Sequence, residues 1–143
     1  MFIFNEKSKK ELSSCHKDLQ MIFNEVIKVI NISVLEGYRT LETQRKYFKE
    51  GKSRCDGVNN KSLHQSNPSM AVDVSPYPID FSEKEKAKAR FYFLAGIVFD
   101  TANRLLRENK ITHRIVWGGD WNSNIKFDDQ SFDDLPHFEL KSI

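Results

Sequence analysis

Helical and strand periodicities alternate along this chain, and the strand pieces are short. That combination restricts the fold to helices packed on a small sheet. Leu12, Leu19, Ile22, Phe23, Val26, Ile27 and Ile30 recur at helical spacing as one buried stripe, so a first helix is expected from a Ser8 cap to about Ile30. Residues 32–39 read as a β-strand with Arg39 at its end. Thr40 caps a second helix through about Glu50, where Gly51 stops it. After a polar loop over 51–63, residues 70–75 form a short strand closed by Pro76 and Pro78. Ser82 with Glu85 makes a capping box for a third helix, whose core face of Ala87, Phe91, Leu94, Val98, Ala102 and Leu105 runs to about Glu108. Strands follow at 113–117 and 136–140, and the short connections after residue 109 favour an antiparallel or mixed sheet. With no repeat, linker or low-complexity tract, the expectation is a single α+β domain over 1–143, a small mainly antiparallel sheet with about three helices.

Composition excludes several classes. Hydrophobic residues make up 39% of the 143, and eleven Phe supply bulk for one core, which argues against disorder. A net charge of +2 is too small to indicate nucleic acid as a partner. Cys15 and Cys55 are too few for a disulfide scaffold and lack paired-ligand spacing, so both read as free thiols in a reducing compartment. Met1 to Lys7 lacks the apolar run of a signal peptide, and no stretch is long enough for stable membrane insertion. The expected product is a monomer made in the cytoplasm.

Chemistry concentrates in His64, Asp73 and His137. In an alternating strand Asp73 shares its face with Ala71, opposite Val72 and Val74. It is either a surface aspartate or a buried carboxylate that needs a partner, and a metal is one such partner. Two imidazoles and one carboxylate give zinc three protein ligands and leave the fourth position open, the arrangement of a catalytic rather than a structural site. Asp134, three residues before His137, can serve as the base that activates water. His16 and His113 read as structural. Glu139, alternating with Phe138, can back a ligand histidine. Asp128, Asp129, Asp133 and Asp134 form an acidic stretch that is either a solvated loop or a calcium site. Trp117 is expected in the core, and Trp121 either lines a cleft or packs beneath one.

Five short motifs in order support this reading: Gly37-Tyr38-Arg39-Thr40 with Gln44, Ser62-Leu63-His64, Ala71-Val72-Asp73, Trp117-Gly118-Gly119-Asp120-Trp121, and Asp134-Leu135-Pro136-His137. Together, over roughly residues 33 to 140, they resemble the zinc D-alanyl-D-alanine carboxypeptidase and L-alanyl-D-glutamate peptidase family, VanY-like and including phage endolysins. The resemblance implies a fold shared with hedgehog signalling domains and zinc held by His64, Asp73 and His137. It implies Asp134 as general base, Arg39 as the group binding the scissile carbonyl oxygen, and Ser62 as a supporting hydrogen-bonding group. The implied substrate is the peptidoglycan stem peptide. The favoured activity is an L-alanyl-D-glutamate endopeptidase of the phage endolysin type, made without an export signal and acting on the wall after release. A D-alanyl-D-alanine carboxypeptidase and a non-catalytic zinc- or wall-binding module are the alternatives. One departure stands out. The interval from His64 to Asp73 is longer than usual for the family, with Asn67-Pro68-Ser69 where a Gly normally stands, as expected of an enlarged loop or a reshaped cleft wall.

Overall fold

The computed structural model describes residues 1–143. Its elements are α1 (Glu6–Ser13), α2 (Lys17–Val26), β1 (Ile32–Glu36), α3 (Leu41–Lys49), a 3₁₀ turn (Leu63–Gln65), β2 (Ala71–Pro76), α4 (Lys84–Arg107), β3 (Arg114–Trp117) and β4 (His137–Lys141). The four strands form one sheet in the order β1-β2-β4-β3, every neighbouring pair antiparallel. The chain is thus α+β, with four α-helices rather than about three. No helix is long and apolar enough to cross a membrane.

The stripe expected on one long helix is correct, but the helix breaks. Leu12, Leu19, Ile22, Phe23, Val26 and Ile27 are all buried, yet α1 ends at Ser13 and α2 starts at Lys17. The cause is a tertiary contact. The backbone N–H of Ser69 donates to the Ser14 carbonyl at 2.9 Å, and that of His16 donates to the Ser69 carbonyl at 2.8 Å. Those bonds draw the junction out of helical geometry, and His16 Nδ1 restarts the helix by accepting the Asp18 N–H at 3.0 Å. Asn5, not Ser8, caps α1. Ser8 is instead buried, and its hydroxyl accepts the Val34 N–H at 3.0 Å, fastening α1 to β1.

Thr40 caps α3 as expected, accepting the Thr43 N–H, and Gly51 follows with φ of 75°. The Ser82 capping box does not form. The Ser82 N–H is taken by Asp80 Oδ1 at 2.9 Å in a local turn, so α4 begins two residues later behind an uncapped Glu83.

Period-two alternation sorts the sheet into two faces. Val72 and Val74 of β2 and Phe138 and Leu140 of β4 join Phe23, Leu94, Val98 and Leu105 from α2 and α4 in the core. Phe23 meets Phe138 edge-on, with ring centroids 5.5 Å apart. The opposite face carries Ala71, Asp73, His137 and Glu139, paired Ala71 to Glu139 and Asp73 to His137.

One polar staple ties the helical layer to β3. Asp18, 1% exposed, accepts from the backbone N–H groups of Thr112 and His113 and from the Thr112 hydroxyl through Oδ2, and His113 Nδ1 lies 2.9 Å from the same oxygen. Burial by itself would raise its carboxyl pKa, but these donors and the neighbouring His16 hold it below the ordinary range. Asp18→Ala should therefore cost about 3 kcal/mol in chemical denaturation, since buried donors lose their acceptor. Because the folded-state pKa is depressed, the wild-type contribution is present above the unfolded value of about 3.9 and lost as pH falls through the folded value. The Asp18→Ala penalty should shrink over that acidic window, and a penalty independent of pH would contradict the assignment.

Candidate active site

His64, Asp73 and His137 converge at the base of an open cleft of about 390 Å³. Their ligating atoms all lie within 4.8 Å of one another. His64 sits on the 3₁₀ turn, where Ser62 Oγ accepts the His64 N–H at 3.2 Å and Gln65 Oε1 accepts the Ser62 N–H at 3.0 Å. Although the sequence around it is polar, His64 is only 1% exposed. Its Nδ1 donates to the Gly37 carbonyl at 2.7 Å, which leaves the Nε2 lone pair facing Asp73 Oδ1 at 3.3 Å. His137 is oriented the other way round. Nε2 donates to Glu139 Oε1 at 2.8 Å, and Nδ1 lies 3.4 Å from the same Asp73 oxygen. Glu139 thus has the backing role expected of it.

His64 Nε2 and Asp73 Oδ1 are the buried side-chain polar atoms that find no hydrogen-bond partner. Unsatisfied buried atoms are costly, and two that face each other beside a third lone pair suit a cation. Burial alone would raise the Asp73 carboxyl pKa, but His137 and His64 keep it ionised well below the usual range. Burial would depress His137, but Asp73 and Glu139 outweigh it and raise its affinity for a proton.

Two further residues line the cleft. Asp134 Oδ2 lies 3.9 Å from His137 Nδ1, and its pKa is raised by burial and by the charge of Asp73. Its position is set by backbone. The Asp134 N–H donates to the Gly118 carbonyl at 2.9 Å and the Gly118 N–H to the His137 carbonyl at 2.8 Å, so close an approach that a Cβ on Gly118 would collide with the Asp134 carbonyl. Arg39, 8% exposed, lies beyond β1 rather than at its end. It is held by Glu36, by Gln44 Oε1 at 2.7 Å and by the Tyr47 ring, 4.7 Å from its guanidinium carbon. Tyr47 OH in turn donates to Glu36 Oε2 at 3.1 Å.

Glu36 and Tyr47 were not singled out in the sequence. Their only local signal is spacing: Glu36 three residues before Arg39, and Tyr47 one helical turn after Gln44. Trp121 lines the cleft, its ring 5.3 Å from that of His137. Trp117 is buried, with Nε1 on the Leu135 carbonyl. Asp128, Asp129 and Asp133 do not converge with Asp134 on a common point. Asp129 accepts from the amides of Asn122 and Asn124, and Asp133 from that of Gln130.

The segment between His64 and Asp73 does not form a cleft wall. Ser69 folds back onto the α1–α2 junction, and its hydroxyl is shared between the Gly37 and Ala71 carbonyls. A second His–Asp–His grouping, His16, Asp18 and His113, also lies within ligating range. Its lone pairs are already engaged, with His16 Nδ1 capping α2 and Asp18 satisfied by Thr112 and His113, so the structural reading of both histidines stands.

An open cleft with two histidines, a carboxylate and a free carboxylate beside them on a small α+β scaffold is the layout of a hydrolase. The sequence specifies which. Residues 1–141 match the family model of phage L-alanyl-D-glutamate peptidases, and the chain belongs to that family. It is similar to the crystal structure of the Serratia marcescens L-Ala D-Glu endopeptidase ChiX, at 27% identity and a TM-score of 0.64, over 97% of this chain and 90% of that one. No curated protein matches the sequence.

Gly37 offers a check on how the histidine is aimed. A Cβ there would strike the Glu11 carbonyl and the Ser14 hydroxyl. Gly37→Ala should displace the carbonyl that orients His64 and lower the midpoint of thermal unfolding by several degrees, for a cost of about 1–3 kcal/mol. An unchanged melting temperature would show that the α1 contact yields freely.

Proposed function

We propose that this chain is a zinc-dependent endopeptidase that cuts the L-alanyl-D-glutamate bond of peptidoglycan stem peptides, as a lysin of the phage type. The observation that carries the zinc assignment is the pair of unsatisfied atoms, His64 Nε2 and Asp73 Oδ1, with His137 Nδ1 beside them. Atoms at the corners of a tetrahedron with zinc bonds of about 2.0–2.1 Å lie about 3.3 Å apart. The separations to Asp73 Oδ1 are 3.3 Å from His64 and 3.4 Å from His137, and all three atoms lie within 4.8 Å of one another, which supports a metal held between them. Zinc held there would polarise the scissile carbonyl and bring the pKa of water down to about 7.

The protein groups divide the remaining work. Asp134 takes the proton of the attacking water and passes it to the leaving amine, and its raised pKa makes it a better proton acceptor than an ordinary aspartate. Arg39 keeps N–H groups on Nη1 and Nη2 beyond those given to Glu36 and Gln44, and its permanent charge stabilises the oxyanion of the tetrahedral intermediate. Glu36, Gln44 and Tyr47 hold that guanidinium still, so little freedom is lost at the moment of reaction. Ser62 acts through His64, fixing the turn that carries it.

Digestion of purified peptidoglycan with mass analysis of new termini tests the reading. Fresh L-Ala carboxyl and D-Glu amino ends are expected. Released D-Ala would move the protein to the carboxypeptidases, and no product would leave a non-catalytic module. His64→Ala and His137→Ala should each fail to retain one equivalent of zinc by elemental analysis. Asp134→Ala should keep the metal and lose about a hundredfold or more in turnover. Since the proton on His137 must leave before the metal binds, zinc uptake at neutral pH should release protons, and affinity should strengthen as pH rises.

A further inference from the structure

One wall of the cleft is cationic and has no assigned use. Lys52, Arg54 and Lys61 line it, in a cleft that also carries Asp73, Asp134 and Glu139. Lys52 is paired with Glu50 at 3.0 Å, whereas Arg54 and Lys61 form no ion pair. Of these two, Arg54 is the one held in place. Its guanidinium lies over the Phe132 ring, 4.6 Å from the centroid, and Nη1 is 3.4 Å from Ser131 Oγ. Phe132 stacks on Trp121 with ring planes 9° apart, and the Trp121 ring lies 5.3 Å from that of His137. A row of flat groups therefore runs from the candidate metal centre to a free positive charge at the cleft's rim, built from the loops on both sides of the site.

A glutamyl residue has two carboxyl groups, and a peptide chain continues through only one of them. The other remains a free carboxylate a few bonds from the nitrogen released by cleavage. Entering this cleft, it would meet the repulsion of Asp134 and Glu139 unless a cation on the wall received it. We propose that Arg54 is the specificity-determining residue that binds this free carboxylate on the amine side of the scissile bond, an inference that rests on the L-alanyl-D-glutamate reading above. Its planar fork suits a carboxylate, and its stacking on Phe132 limits the freedom lost on binding.

The test uses the zinc-loaded full chain and two synthetic stem peptides that differ only in a free carboxylate or a carboxamide on the glutamyl residue. The wild type should prefer the free acid. Arg54→Gln should raise KM for the acid about tenfold more than KM for the amide, the loss of one charge-assisted hydrogen bond, and Arg54→Lys should recover part of the difference. The dissociation constants of the two amine-side product peptides, measured by calorimetry, should diverge in the same direction. Equal effects on both peptides, or an effect confined to kcat, would reduce Arg54 to a support for Phe132 and overturn the proposal. An acid-selective loss in Lys61→Gln but not in Arg54→Gln would overturn it too. A wild type that cuts both peptides equally refutes the Arg54 role alone, whereas one that cuts neither refutes the bond assignment and the Arg54 role with it.

Discussion

The site depends on one register: Asp73 of β2 directly opposite His137 of β4. Antiparallel pairing with period-two alternation puts both side chains on the same face and sends Val72, Val74, Phe138 and Leu140 into the core. A slip of β4 by one residue would turn the imidazole into the hydrophobic layer and expose Phe138 and Leu140. The energy of burying the apolar face therefore fixes the geometry of the polar one, and the ligands need no separate mechanism to meet. Ala71, opposite Glu139 on the same face, is small enough to leave that carboxylate room to reach His137.

His64 comes from outside the sheet and is brought in by a second constraint, the Gly37 carbonyl. That oxygen accepts from His64 Nδ1 and from the Ser69 hydroxyl, while Gly37 itself is pressed against the end of α1. Ser69 also bridges the α1–α2 junction. The residues between His64 and Asp73 thus tie the helical layer to a candidate ligand and leave the cleft walls to the loops that carry Arg54 and Trp121.

Charge is distributed in layers around the centre. Asp73 stays ionised between two imidazoles, Asp134 is made more basic by burial and by that same negative charge, and Arg39 sits between Glu36 and the outer oxygen of Asp73, 3.8 Å from it. The protonation of both carboxylates is set by their surroundings more than by their own chemistry.

Much of this was legible from local pattern. The stripe on α1 and α2, the strand read at 70–75, the face shared by Ala71 and Asp73 and the Thr40 cap follow from periodicity and residue type, because those signals act over a few residues, whereas singling out His64, Asp73 and His137 as a set leaned also on the order of the five motifs. The break at Ser14–His16, the burial of His64, the clamp of Glu36 and Tyr47 on Arg39, and the failure of the Ser82 cap were not legible in that way. Each depends on a partner brought from elsewhere in the chain, or on a local turn competing for the same N–H. By itself the sequence determined which side chains would face the core and which residue types could hold a cation. Only the tertiary structure decided which nitrogen of each histidine points inward, because that choice belongs to the Gly37 carbonyl, whose target the linear chain does not declare, and to the side of the His137 ring that Glu139 takes.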